Sequence, residues 1–284
     1  MSADDPSDGV AERYLELLKR TLTFTLWPEP LTPIEHLNAD RPYLKRMAVS
    51  LLAAAVRSTG YRLARQANPS WEDRRDGALW PYYADTMMGL TRLNHLHQCV
   101  DTVLRENIPG DLIETGVWRG GGCILMRGVL AARGNTDRTV FVADSFRGFP
   151  PIERVEDVGD KPDESHAYLA VALEAVRENF RRYGLLDERV VFLEGWFKDT
   201  LRQAPIQQLA VLRLDGDMYG STLDALTALY PKLAPGGFCI VDDYGAINAC
   251  KQAVTDYRAA HGIATEIHPI DWTGVYWRTP GASV

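Results

Sequence analysis

No stretch of this sequence approaches the roughly 20 consecutive apolar residues that a membrane-spanning helix requires, so no membrane partner is expected. Positive charge is not in excess either. Lys and Arg number 31 against 38 Asp and Glu, a formal net charge of −7. Phosphate backbones need a basic surface, so nucleic acid is not expected as the main partner. Cysteine is sparse: Cys99, Cys123, Cys239 and Cys250, with no C-x-x-C pair. That spacing excludes the common zinc motifs and offers no disulfide frame, so the four are expected as reduced core residues. The opening MSADDPSDGVAER lacks the basic and apolar regions of a signal peptide, and a cytoplasmic protein is expected. What is present is a 46% hydrophobic content over 284 residues, enough for one large domain or a domain with an appended segment.

The pattern changes near residue 85. Before it, residues 1–10 read as a tail, Glu12 to Thr23 as a helix, and Trp27-Pro28-Glu29-Pro30 with Pro33 as neither helix nor strand. Another helix is expected over Tyr43–Ser58, then a turn-rich stretch over 68–82. A helix from Gly89 to Glu106 follows. Short apolar runs then alternate with helical spacing. The runs are Asp111–Thr115, Val140–Asp144, Val190–Leu193, Leu209–Leu214, Phe238–Val241 and Gly274–Trp277, with helices over 121–133, 165–183, 221–233 and 246–260. Such alternation predicts an α/β fold, a doubly wound parallel sheet with helices on both faces. The last run, with no helix after it, is expected to return antiparallel at a sheet edge. The division is therefore a helical cap or lid over 1–84 and a catalytic domain over 85–284.

Ligands of a doubly wound sheet bind beyond the carboxyl ends of its strands. The first strand runs into Glu114-Thr-Gly116-Val-Trp-Arg-Gly120-Gly-Gly. Gly116 permits a sharp turn, and the glycines from 120 let backbone approach a ligand. The spacing does not match the dinucleotide fingerprint Gly-x-Gly-x-x-Gly. Glu114 would oppose a pyrophosphate but suits a cation. S-adenosylmethionine, with a sulfonium and an ammonium, fits better than a nicotinamide cofactor. Asp144, at the tip of the second strand, is placed to accept ribose hydroxyls. Trp196 and Phe197, after the third, offer faces for adenine or fill the core.

Four aspartates end the next two strands: Asp215 and Asp217 after one, Asp242 and Asp243 after the other. Carboxylates gathered this closely repel, and a hard divalent cation such as Mg²⁺ relieves them. Asp215, Asp242 and Asp243 follow rigid strand ends and are the expected ligands. Asp217, further out on its loop, is the candidate base for a hydroxyl proton. The plainer reading makes Asp217 and Asp243 helix caps.

Taken together, ETGVWRGGG, DSFRGFP, EGWFKDTL, LDGDMYGST, YPKLAPGGF and VDDYG, with RYLELLKRTLT and TMMGLTRL upstream, resemble the macrocin O-methyltransferase family over nearly the whole chain. The resemblance implies a Rossmann-like class I methyltransferase fold with a mostly parallel seven-stranded sheet and a helical lid. It implies S-adenosylmethionine and Mg²⁺, and a homodimer or larger assembly. The implied acceptor is a deoxysugar hydroxyl on a glycosylated macrolide or aminocoumarin antibiotic. By position, Asp215, Asp242 and Asp243 match the metal set and Asp217 the base. Glu114 and Asp144 match cosubstrate contacts, with Thr86 and Met87 alongside. Gly116, Gly120, Ser145 and Trp196 complete the expected cosubstrate set. Residues 24–42, with Trp27, Glu29, Glu35 and His36, are where acceptor preference is expected. The competing reading is an NAD(P)-dependent oxidoreductase on the same architecture, free of metal.

Overall fold

The computed structural model describes residues 6–28, 31–34, 42–66, 70–79, 82–158 and 168–281. In chain order, α1 (Pro6–Leu22), β1 (Leu31–Pro33), α2 (Tyr43–Arg57), β2 (Ala64–Gln66) and α3 (Trp71–Arg75) precede a regular alternation. That alternation is α4 (Leu90–Arg105), β3 (Asp111–Thr115), α5 (Gly121–Ala132), β4 (Val140–Asp144), α6 (Leu173–Arg182), β5 (Val190–Glu194) and α7 (Phe197–Thr200). It continues through β6 (Leu209–Leu214), α8 (Tyr219–Leu229), β7 (Leu233–Val241), α9 (Asn248–Ala260), β8 (His268–Pro269) and β9 (Val275–Arg278).

Seven strands form one sheet in the order β5-β4-β3-β6-β7-β9-β8. The five from β5 to β7 are parallel, and β9 returns antiparallel to β7. The chain starts at β3, steps outward to β4 and β5, then comes back to β6 on the other side. The strand order thus reverses between β3 and β6, where doubly wound sheets bind ligands. The fold is the expected doubly wound, mostly parallel sheet.

Residue alternation along the strands divides the core in two. Leu112, Val140, Val142 and Val211 face one layer, built with Leu93 and Leu96 of α4, Ile124 of α5 and Phe180 of α6. Their neighbours Ile113, Phe141, Ala143 and Leu212 face the other, against Leu226 of α8 and Val254 of α9. Because both faces are covered, these strands read as continuous apolar runs. The apolar stripe of α1, Leu15, Leu18 and Leu22, belongs to the first layer. In α2, by contrast, Leu44, Met47, Leu51 and Leu52 are exposed.

Several local expectations are corrected. α1 begins at Pro6, inside the expected tail, since Pro is well tolerated in a first helical turn. Leu31–Pro33 is a short strand, paired antiparallel with β2, where Pro33 sits in a two-stranded ribbon that needs few backbone donors. β9 does not close the sheet, because β8 pairs outside it. β7 begins five residues before Phe238, and Pro235-Gly236-Gly237 lies within it as an irregularity in the β6 pairing. α6 begins at Leu173 rather than 165, and residues 165–167 lie outside the described set. Among the described residues, no helix is long and apolar enough to cross a membrane, and all four cysteines are buried and free.

Candidate active site

A cavity of about 830 Å³ opens over the carboxyl ends of the strands, on both sides of the switch point. One half lies over β3, β4 and β5, the other over β6 and β7.

In the first half the glycine loop is held by Asp144. Its carboxylate accepts from the backbone N–H of Val117 (2.8 Å) and Phe146 (2.7 Å). Burial raises the Asp144 carboxyl, and these N–H groups oppose the rise. Gly116, at φ +83°, lies against the next strand end. A Cβ there would stand 1.6 Å from the Asp215 carbonyl oxygen, so no side chain fits. Glu114 lines the cavity but is only 2% exposed. Its Oε1 accepts from Arg213 Nη1 (2.5 Å) and its Oε2 from the Cys123 thiol (3.1 Å). Burial pushes the Glu114 carboxyl up to about 7, against the pull of Arg213. Ser145 donates to the Gly148 carbonyl (2.6 Å), and Thr86 Oγ1 accepts from the Met88 N–H (3.1 Å). Ser145, Thr86, Met87 and Trp196 all lie on the cavity wall. Gly120 is set back from it, in a left-handed conformation at the start of α5, where a Cβ would meet Val176 at 2.8 Å.

The second half carries the aspartates. Asp215 follows β6, and its N–H bonds to the Thr115 carbonyl (2.9 Å). Asp242 follows β7, with its N–H on the Leu214 carbonyl (2.9 Å). One carboxylate oxygen from each of Asp215, Asp242 and Asp243 can be chosen so that all three lie within 4.8 Å of one another. Asp217 sits two residues past the strand end at φ +55°, a left-handed conformation that aspartate adopts more readily than most side chains.

Two arginines within this cluster went unremarked in the sequence. Arg213, 1% exposed, projects from β6 to Glu114, Asp215 (2.8 Å) and Asp242. Arg92, from α4, pairs with Asp242 and Asp271 (3.0 Å). Burial alone would raise the Asp242 carboxyl, but the two guanidiniums outweigh it and hold it low. Burial and the Asp242 charge raise Asp215. Asp243 rises furthest, through burial and then the charges of Asp217, Asp215 and Asp242. Its Oδ2 is buried without a hydrogen-bond partner among the described residues. An arginine in the middle of a fully buried strand was the visible signal for Arg213. Nothing in the local sequence of α4 marks Arg92.

This donor set fits a hard divalent cation. It is all oxygen, it holds an orphaned buried carboxylate oxygen, and its acids outnumber its two arginines. Trp118 also went unremarked. It lines the cavity at φ +48°, beneath the Arg119 guanidinium (4.2 Å), and donates from Nε1 to the Tyr168 carbonyl (3.0 Å). Trp27 is not on the cavity wall. Its ring lies against Phe24, with centroids 4.8 Å apart. Glu29, Glu35 and His36 lie outside the described residues.

The family model for macrocin O-methyltransferases matches residues 11–279. Among curated relatives, the 8-demethyl-8-(2,3-dimethoxy-alpha-L-rhamnosyl)-tetracenomycin-C 4'-O-methyltransferase of Streptomyces olivaceus is 56% identical, over 98% of this chain and 96% of that protein. The mycinamicin III 3''-O-methyltransferase of Micromonospora griseorubida is 46% identical, over 96% and 98%. The solved structure of the O-methyltransferase NovP superposes with a TM-score of 0.80 at 45% identity, covering 95% of this chain and 99% of that one. The switch-point cavity, the glycine loop and these likenesses agree, and the oxidoreductase alternative falls: the chain belongs to the macrocin O-methyltransferase family and is an S-adenosylmethionine-dependent O-methyltransferase.

Proposed function

We propose that this enzyme methylates a deoxysugar hydroxyl of a glycosylated natural product, with Mg²⁺ bound by Asp215, Asp242 and Asp243. The observation that carries the metal is Asp243 Oδ2, buried and without a hydrogen-bond partner among the described residues, beside two further carboxylates on the cavity wall. Held there by the three carboxylates, a divalent cation would lower the pKa of an acceptor hydroxyl. Asp242 is already held by Arg92 and Arg213, which fix its carboxylate while each oxygen keeps a lone pair. The names of the relatives support the acceptor class, since the tetracenomycin enzyme acts on a rhamnosyl compound. They also widen it beyond macrolides and aminocoumarins.

Glu114, Gly116, Asp144, Ser145, Trp196, Thr86 and Met87 would hold S-adenosylmethionine in the half of the cavity over β3 to β5, while Gly120, set back from the wall, starts α5 behind them. Asp144, on the cavity wall, would accept from the ribose in place of its longer contacts to the Trp118 N–H (3.4 Å) and the Ser145 hydroxyl (3.5 Å), and Gly116 keeps the strand ends close enough to bring donor and acceptor together. Asp217 takes the hydroxyl proton as the new C–O bond forms and the methyl C–S bond breaks, the electron pair leaving on sulfur. Its place on the cavity wall, close enough for its charge to act on Asp243, supports that role. Residues 1–84 would act as the cap over residues 85–284, and Gly77 on the cavity wall supports this. The exposed apolar residues of α2 support a homodimer or larger assembly.

The test uses mycinamicin III and the demethylated rhamnosyl tetracenomycin as acceptors. At least one should be methylated, excess chelator should abolish turnover, and added Mg²⁺ should restore it. Asp215→Asn and Asp243→Asn should raise the Mg²⁺ requirement and leave S-adenosylhomocysteine binding in place. Asp217→Asn should lower kcat by about 10²–10⁴. Full turnover in chelator would refute the metal, and failure on both acceptors would refute the acceptor class.

A further inference from the structure

Beyond the aspartates the cavity reaches the turn between β8 and β9, where its outer wall is Trp272. This indole is 56% exposed, yet it is not loose. Its Nε1 donates to the Asp76 carbonyl (3.0 Å), tying it to the segment after α3. The preceding Asp271 accepts from the N–H groups of Thr273 (3.0 Å) and Gly274 (2.8 Å), which closes the turn. Asp271 also faces Arg92 Nε at 3.0 Å, and Arg92 holds Asp242. The Thr273 carbonyl accepts from Gly245 N–H (2.8 Å), and the Thr273 hydroxyl donates to the Asp242 carbonyl (2.8 Å). The turn is thus braced on the same backbone that carries Asp242 and Asp243. Ala246 and Ile247 continue the wall from that backbone towards Trp272.

A large aromatic left half in water forgoes burial it could have had within the fold. Fixed in orientation, it loses little entropy when a ligand covers it. Those two properties belong to a preformed apolar platform. The acceptor hydroxyl must lie at the aspartates, so whatever covers Trp272 lies on the far side of the sugar. Trp27, the aromatic residue expected at the acceptor, has its ring off the cavity wall. Resting on the acceptor class proposed above, we propose that Trp272 determines acceptor specificity by receiving the aglycone, an apolar ring system attached to the methylated sugar, against its indole face.

The test is competition. The aglycone of whichever acceptor is turned over, stripped of its sugar, should inhibit the wild-type enzyme competitively against the glycoside. Trp272→Ala should raise that inhibition constant and the glycoside KM by about tenfold or more, with S-adenosylhomocysteine affinity unchanged. Trp272→Phe keeps an aromatic face without the N–H to Asp76 and should stay within about threefold of wild type. Trp272→Gln keeps an N–H without a face and should behave as the alanine variant does, which serves as the second probe if alanine disturbs folding. An aglycone that does not compete with the glycoside in the wild type overturns the proposal. So does a phenylalanine variant as impaired as alanine, because the brace and not the face would then be what matters. A wild type that methylates neither glycoside overturns the acceptor class, and this assignment falls with it.

Discussion

Replacing Arg213 by Met tests whether the buried arginine exists to compensate the carboxylates around it. The guanidinium is 1% exposed and touches Glu114, Asp215 and Asp242. Asp242 would keep Arg92, and Asp215 is partly open to solvent. Among the described residues, Glu114 would keep only the Cys123 thiol, at 3.1 Å. The loss therefore falls mainly on one buried carboxylate. Breaking a buried pair from one side costs about 3–5 kcal/mol. Glu114, already raised to about 7, can escape part of this by taking a proton, so the lower end, about 3 kcal/mol, is expected near neutral pH. In a domain of this size that lowers Tm by roughly 6–12 °C. The double variant Arg213→Met/Glu114→Gln removes the orphaned charge along with its partner. It should be less destabilised than the sum of the two single variants by at least about 1 kcal/mol. Thermal and urea melts of the four proteins, in chelator so that no cation shifts the balance, give the cycle. Simple additivity, or an Arg213→Met variant within about 1 kcal/mol of wild type, would refute the reasoning.

Two further outcomes follow from local geometry. Gly116→Ala brings a Cβ into the Asp215 carbonyl at φ +83°, and should cost about 3 kcal/mol or more with loss of S-adenosylhomocysteine binding; melts and calorimetry near wild type would show that the two strand ends need not touch. Burial pushes the His95 imidazole down to about 4 from its ordinary 6.5, beside the Tyr276 ring at 4.3 Å. The unfolded chain therefore binds this proton first, and stability should fall as pH drops from 6.5 towards 4, by up to about 1.4 kcal/mol per unit. His95→Phe should flatten urea-melt stability across that window, and an unchanged slope would sink the assignment.

How far the sequence could be read depended on how local each determinant is. β3, β4 and β6 coincide with the expected runs residue for residue, because each is an apolar stretch buried on both faces and stopped by a polar strand end. The aspartates were legible for the same reason, since strand ends are fixed by the runs before them. β7 was read short because Pro235-Gly236-Gly237 signals a turn when seen alone. Gly236 does turn there, at φ +81°, and the β6 pairing passes over the turn from Leu233 to Phe238, so the strand resumes on its far side. β8, two residues long, and α7, a single turn, are too brief to show a period. Arg92 reaches Asp242 across 150 residues, and the Trp272 side chain reaches Asp76 across 196, distances that no periodicity spans. Local composition points Trp27 at the acceptor, but its ring meets Phe24 three residues away.

The brevity of β8 has a consequence for how copies of this chain can meet. A sheet edge with a long row of free N–H and C=O groups invites a strand from another molecule. At this end the outermost strand offers only His268 and Pro269, and the proline has no N–H to give. An arriving strand would gain almost no ladder there, so the sheet stops growing at β8. Assembly of this enzyme through that edge is disfavoured by its own backbone, which leaves side-chain surfaces to direct any association at that end.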